Sequence, residues 1–298
     1  PYKFVDSVVE LFDGEKTLDP LAKEVAHPLW KKIFDVHHRN REYYFVCIRM
    51  FSGGIQLVAE QMGTEIYGDL KPIQENRRFA RIVAIYDETY HVDDNSKWEH
   101  ARILEDVEAV KWLVSVAPQF EQSSHFFGRT ADIILSSLSS TVFGIIWLRQ
   151  VSVTFLEQQI TNSPFLERIY LVKSDDRWPM SVLPLLEQFC LKGRPGRHVY
   201  LEIRDALEAK IDMNFIQRLF EHWKENGTLN FSLECDATVD PEDWKTLLRK
   251  GEVTELEPNK FQSVFKHHTE KSVAVCYSED YNNRDFLEFR TCECDLLR

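Results

Sequence analysis

The sequence predicts an α/β chain: short helices at the front, then strands alternating with helices, then a closing β-hairpin. Three observations carry this. Apolar residues recur at helical spacing through the first forty positions, short β-branched and aromatic runs follow with helical runs between them, and the last segment pairs two strand-like runs around Asn282 and Asn283.

In "PYKFVDSVVELF", Val5, Val8, Val9 and Phe12 stand at i, i+3, i+4 and i+7, which puts them on one helix face behind Phe4. Chain ends usually fray and carry polar residues, so an apolar helix at the start is expected to dock, in this chain or on another. A second helix, "TLDPLAKEVA", brings Leu18, Leu21 and Val25 together, with Pro20 near its start. A third, "HPLWKKIFDVHHRN", carries Leu29, Trp30, Ile33 and Phe34 and ends in His37, His38, Arg39 and Arg41, cations suited to a helix C-terminus.

Strands are expected at "YYFVCIRM", "RFARIVAIY", "WLRQVSVTF", "LERIYLVKS", "HVYLEIRD" and "LNFSLEC". Among the helices, "WEHARILEDVEAVKWLVSV" is expected to bury Ile103, Val107, Val110 and Val114. "DMNFIQRLFEHWKENG" is expected to bury Phe215, Ile216, Leu219, Phe220 and Trp223, with Asp212 as N-cap and Gly227 as stop, and "DPEDWKTLLRKG" starts at Asp240 and Pro241. "IILSSLSSTVFGIIWL" reads as a buried helix running into a strand, too short and too polar to span a bilayer. Gly53–Gly54 reads as a turn between strand and helix.

Several strands share an apolar-x-x-apolar-x-apolar skeleton: Tyr43, Val46, Ile48; Phe79, Ile82, Ala84; Leu148, Val151, Val153; Leu166, Ile169, Leu171. Weaker versions are His198, Leu201, Ile203 and Thr228, Phe231, Leu233. This skeleton is similar to that of a leucine-rich repeat, at intervals of about 30 residues near the end and irregular ones before. An ordinary α/β domain with look-alike buried strands is the other reading. The expected organisation is a helical unit over residues 1–42, a leucine-rich-repeat-like α/β domain over 43–253 and a β cap over 254–298.

A net charge of −12 argues against nucleic acid or an anionic membrane surface as the main partner. The opening lacks the basic and apolar regions of a signal peptide, so the six cysteines are expected reduced, in cytoplasm or nucleus. No phosphate-binding glycine loop, dinucleotide fingerprint, nucleophile elbow or zincin motif is present, and no cofactor is expected. Two faint metal candidates exist: adjacent His37 and His38, and His267 and His268 with Cys276, Cys292 and Cys294. The first pair diverges on a helix, and the spacing of the second is atypical for zinc. Trp98 and Trp178 sit in polar surroundings and are candidate exposed interface anchors, or could fold back over the core edge.

The front helices, "PYKFVDSVVELF", "LDPLAKEVA" and "HPLWKKIF", followed by a repeat array, resemble an F-box protein, nearest the divergent F-box-like families expanded in nematodes. The leading Leu-Pro, the acidic residue after it and the leucine run of the second helix are missing. The resemblance implies docking on the Skp-type adaptor of a cullin-RING ubiquitin ligase through Phe4, Val5, Val8, Val9, Phe12, Leu18, Leu21, Leu29, Trp30 and Ile33, with an unknown protein held by the repeat domain. It implies no catalysis. The alternative is a scaffold of a non-ubiquitin complex that keeps only the fold.

Overall fold

The structure is a computed structural model, and it describes residues 2–64, 66–89, 96–129, 132–173, 176–236, 239–257, 260–279 and 284–291. The chain is a mixed α/β protein of two compact units: residues 1–146 with 162–165, and residues 147–161 with 166–298.

In the first unit, α1 (Tyr2–Glu10) leads through a wide, π-helical turn at Gly14–Leu18 to α2 (Asp19–Glu24) and α3 (Pro28–Asn40). Asp13 caps the turn by accepting from Lys16 N, and prolines open α2 and α3 where an N–H is dispensable. A sheet follows: β1 (Glu42–Phe51), β2 (Gly54–Gln61), β3 (Tyr67–Gly68), α4 (Lys71–Glu75), β4 (Ala80–Asp87), β5 (Ile103–Leu104), α5 (Asp106–Val116) and β6 (Phe120–Gly128). The strands lie in the order β3-β2-β1-β4-β6, with β5 on β2. β1, β4 and β6 are parallel, and β2 runs antiparallel to β1. After α6 (Asp132–Ser137), β7 (Ile145–Leu148) carries the chain into the second unit, so "IILSSLSSTVFGIIWL" is a helix running into a strand.

The second unit contains α7 (Val153–Asn162), β8 (Arg168–Val172), α8 (Leu183–Cys190), β9 (Val199–Arg204), α9 (Met213–Asn226), β10 (Phe231–Asp236) and α10 (Pro241–Leu248). It ends with β11 (Glu252–Glu257), β12 (Lys260–Lys266), β13 (Val273–Glu279) and β14 (Arg284–Arg290). Strands β8, β9 and β10 are parallel neighbours in chain order. β14 pairs antiparallel with β10, and β13, β12 and β11 continue outward as a meander. The expected closing hairpin is β13 with β14. Its turn, with Asn282 and Asn283, lies outside the described residues.

The apolar skeleton marks the buried face: Val46, Ile48, Ile82, Ala84, Ile169, Leu171, Leu201, Ile203, Phe231 and Leu233 are all buried. Helix α9 follows its pattern closely. Phe215, Ile216, Leu219, Phe220 and Trp223 are buried, Asp212 accepts from Phe215 N at 3.0 Å, and Gly227 stops the helix at φ 62°, a conformation costly for other residues.

Four expectations are corrected. "WLRQVSVTF" is not one strand: it ends at Leu148, and from Val153 the chain is helical, because Phe155, Leu156, Gln159 and Ile160 bury one face at helical spacing despite the β-branched run. Gly53–Gly54 joins two strands, not a strand and a helix. Phe51 pairs with Gly54, whose φ of 136° permits the tight reversal, and Ile55, Leu57, Val58 and Ala59 are buried along the returning strand. In α5 the apolar stripe faces outward, with Val107 78% exposed and Ile103 and Val114 also exposed. Ile103 belongs to β5, so the helix begins later, and Ala109, Leu113 and Val116 form its inner face. Finally, Trp98 and Trp178 are buried, and the reason lies in their neighbours, described next.

Candidate interaction surfaces

The three front helices build their own core from Val5, Val9, Leu18, Ala22, Ile33 and Phe34. Phe12, Leu21, Val25, Leu29 and Trp30 pack around it half-buried, with the Phe12 and Trp30 rings 5.7 and 6.3 Å from Phe34. Val8 is half-buried. Of the residues implied as adaptor contacts, Val5, Val9, Leu18 and Ile33 are therefore core. Three short helices cannot each turn an apolar stripe outward and still bury enough surface to hold together. Large apolar side chains remain outside: Phe4 is 68% exposed and Leu11 72% exposed, with Tyr2 less so. Phe4 lies on α1 and Leu11 in the turn just after it.

Buried polar groups fix this cluster to its sheet. The Arg41 guanidinium, wholly buried, donates to the carbonyls of Val9 (3.0 Å), Glu10 (2.9 Å) and Phe12 (2.5 Å) at and just beyond the end of α1. It also donates to Glu121 Oε1 on β6 at 3.2 Å, and Gly14 N donates to the same oxygen at 3.0 Å. Arg81 adds a bond to Glu10 O at 2.8 Å, so two cations meet the negative end of the helix. Asp13 receives the backbone N–H of Ser123 at 3.1 Å and its hydroxyl. Burial pushes the Glu121 carboxyl up to about 7, reinforced by Asp13 and opposed by Arg41. Burial also lowers Arg81 to about 10 and raises the Tyr43 phenol to about 12. Midway along α1, Asp6 bonds His37 Nε2 at 2.9 Å and Arg78 at 2.6 Å.

Each unit carries a ladder of rings across its sheet, in the second unit on the face opposite the apolar skeleton. In the first unit, Phe45, Tyr86 and Phe127 step across β1, β4 and β6, with centroids 5.7 and 5.1 Å apart and the second pair stacked, and His125 meets Phe127 edge-on at 5.7 Å. In the second unit, Trp147 stacks on Tyr170 at 4.8 Å, and Tyr170 lies 5.5 Å from Tyr200. The Arg204 guanidinium sits 5.7 Å over Trp147 and pairs with Glu202. The Tyr200 hydroxyl donates to Glu202 (2.9 Å) and Glu234 (2.6 Å), and burial together with those carboxylates raises its pKa. Ser232 on β10 bridges to His198 at 3.1 Å and to Glu288 on β14 at 3.3 Å. Trp147, Tyr170, Tyr200 and Glu234 are half-buried, so the ladder is bounded by polar groups and open on one side. Sequence reading missed these residues. In the second unit their only signal was their alternation with the skeleton positions.

Trp98 is buried with Cys47 and Val58, and Lys97 stands 5.8 Å from its ring. Trp178 is wholly buried because its backbone bridges to Leu207: its N–H donates to Ala206 O at 2.7 Å, and its carbonyl accepts from Glu208 N at 2.9 Å. Neither is an exposed anchor.

The histidines serve structure. His37 turns to Asp6 and His38 to Asp19 (2.9 Å). His267 Nε2 donates to Lys224 O at 2.9 Å near the end of α9, while Nδ1 accepts from Glu270 N at 3.0 Å, so both ring nitrogens are engaged. Cys292 and Cys294 lie outside the described residues. Among the described residues, no group of three or more His, Cys, Asp or Glu side chains converges to hold a metal. Buried Cys47, Cys190 and Cys276 have thiols raised by burial, Cys47 to about 12, which disfavours the reactive thiolate. No helix among the described residues is long and apolar enough to cross a membrane.

Comparison with protein-family models, with curated proteins and with solved structures finds no match to this chain.

Proposed function

We propose that the chain is a non-catalytic interaction adaptor of F-box-like type. Its front helices dock on a Skp-type adaptor of a cullin-RING ubiquitin ligase, and the ring ladders of its sheets hold a protein partner. One observation carries the reading: the helical cluster satisfies its own core and still leaves Phe4 on α1 and Leu11 just past it exposed. Exposed large apolar groups on a rigid helix serve as anchors for a partner's groove. Aromatic rings among polar side chains on the sheet faces have the composition of a partner surface.

The test is co-purification with a Skp-type adaptor, comparing wild type with Phe4→Asp/Leu11→Asp. Both sites are exposed, so the variant keeps its circular dichroism and thermal midpoint. Capture by wild type and its loss in the variant is the expected result. A folded wild type that captures no adaptor overturns the ligase assignment, and capture unaffected by the double substitution overturns the docking face.

A further inference from the structure

A cavity of about 300 Å³ opens in the first unit between β2, β3, α5 and the segment before β5. Its floor is apolar and buried: Val58, Leu70 and Leu104. Trp112 forms a wall. Among the described residues, the lining cations are Lys71, Lys97 and Arg102, with His100 beside them and Asp69 as the one carboxylate, in a chain whose net charge is −12. Lys97 is spent inside, 2.5 Å from Glu88. At the mouth, exposed Arg102 gives only Nη2 to Glu108, at 3.0 Å, and exposed His100 has no hydrogen-bond partner among the described residues. The remaining Arg102 donors and the His100 ring therefore stand at the mouth over a buried apolar floor.

We propose that this cavity binds an apolar group bearing a carboxylate. The ring or aliphatic body fills the floor against Trp112, and the carboxylate meets Arg102 and His100. An apolar floor gives a bare inorganic anion nothing to bury, and a neutral apolar ligand leaves the cationic mouth unanswered. The volume is at the low end for small-ligand pockets, which suits one ring and a short acid chain. This site goes beyond the interaction surfaces above and does not depend on them. Two sources carry the same chemistry: a free small acid, and the C-terminal residue of a peptide chain.

Gly68 supplies the decisive variant. It lines the cavity, and a Cβ built on it meets nothing within 4 Å, so Gly68→Phe sets a ring at the cavity wall with no clash at its Cβ. The experiment is fluorine NMR of fluorinated phenylpropionate with the full chain, beside its amide. Parallel arms use a short peptide ending in fluorophenylalanine, as free acid and as C-terminal amide. Saturable broadening by an acid, weaker by about tenfold or more for its amide, is expected from loss of a charge-assisted contact. Gly68→Phe is expected to abolish it, and Arg102→Glu/His100→Glu, at exposed positions, to weaken it by at least about tenfold. Binding of phenylpropionate assigns a free acid as source, and binding of the peptide acid alone assigns a chain terminus. The proposal is overturned if neither acid binds, if amides bind as well as acids, or if the Arg102/His100 variant binds as wild type does.

Discussion

Replacing Arg41 with Met is the sharpest probe of how the front helices are held. The substitution keeps an apolar stem of similar length and removes donors to Val9, Glu10 and Phe12 carbonyls and to Glu121. Breaking a buried pair from one side costs about 3–5 kcal/mol, because the remaining charge stays buried and unpaired. The Glu10 carbonyl keeps its bond from Arg81 and the Phe12 contact is only part-buried, so their loss adds little, and about 4 kcal/mol is expected. Against a typical domain stability of about 5–15 kcal/mol, that is a large fraction.

The pH dependence carries the diagnosis. Glu121 in the folded chain is raised from 4.5 to about 7, so folding binds a proton there, and its contribution is present at low pH and lost as pH rises through about 7. Without Arg41 the carboxyl protonates more readily still, so the deficit of Arg41→Met shrinks toward about pH 5 and is largest near about pH 9. Urea unfolding followed by circular dichroism at both pH values measures it, and the wild-type-minus-variant difference cancels groups that titrate alike in both. The double variant Arg41→Met/Glu121→Gln is expected to recover at least about 1 kcal/mol relative to additivity. A deficit below about 1 kcal/mol, or one equal at both pH values, refutes this account of the attachment.

Two further outcomes test the second unit. Burial pushes Asp285 on β14 up to about 7, with Lys210 opposing, so its charged form destabilises the closing strand as pH rises through that value. Asp285→Asn is therefore expected to be more stable than wild type by about 2 kcal/mol or more near about pH 9 and equal to it below about pH 4, which denaturation across that range checks. Asp212→Ala removes the acceptor for Phe215 N at the start of α9 and is expected to cost about 1 kcal/mol, read as a shift in urea midpoint without a change in slope.

Local pattern was legible wherever a residue's role depends on near neighbours. The N-cap at Asp212, the stop at Gly227, the buried face of α9 and the inward pairs of β1, β4, β8, β9 and β10 were readable because period and capping chemistry are properties of a few consecutive residues. The phase of α5 was misread because Ala109, Leu113 and Val116 make an equally periodic, less bulky stripe. Only the sheet they pack on selects between the two. Strand β6 escaped because Glu121 and Ser124 face inward, which a hydrophobic pattern cannot express.

By itself the sequence determined the α/β alternation, the helical front and the closing hairpin, since apolar period and turn residues act over short distances. Tertiary structure alone decided which apolar residues are surface. Phe4 and Leu11 remain outside because the front helices close their core with Val5, Val9 and Phe34, while Trp98 and Trp178 are covered by neighbours remote in the chain or by backbone bridges. It also decided the juxtaposition of Arg41 with Glu121, of Trp147, Tyr170 and Tyr200, and of Trp112 with His100 and Arg102. Burial and convergence are set by packing between distant segments, and no local pattern encodes which face will find a neighbour.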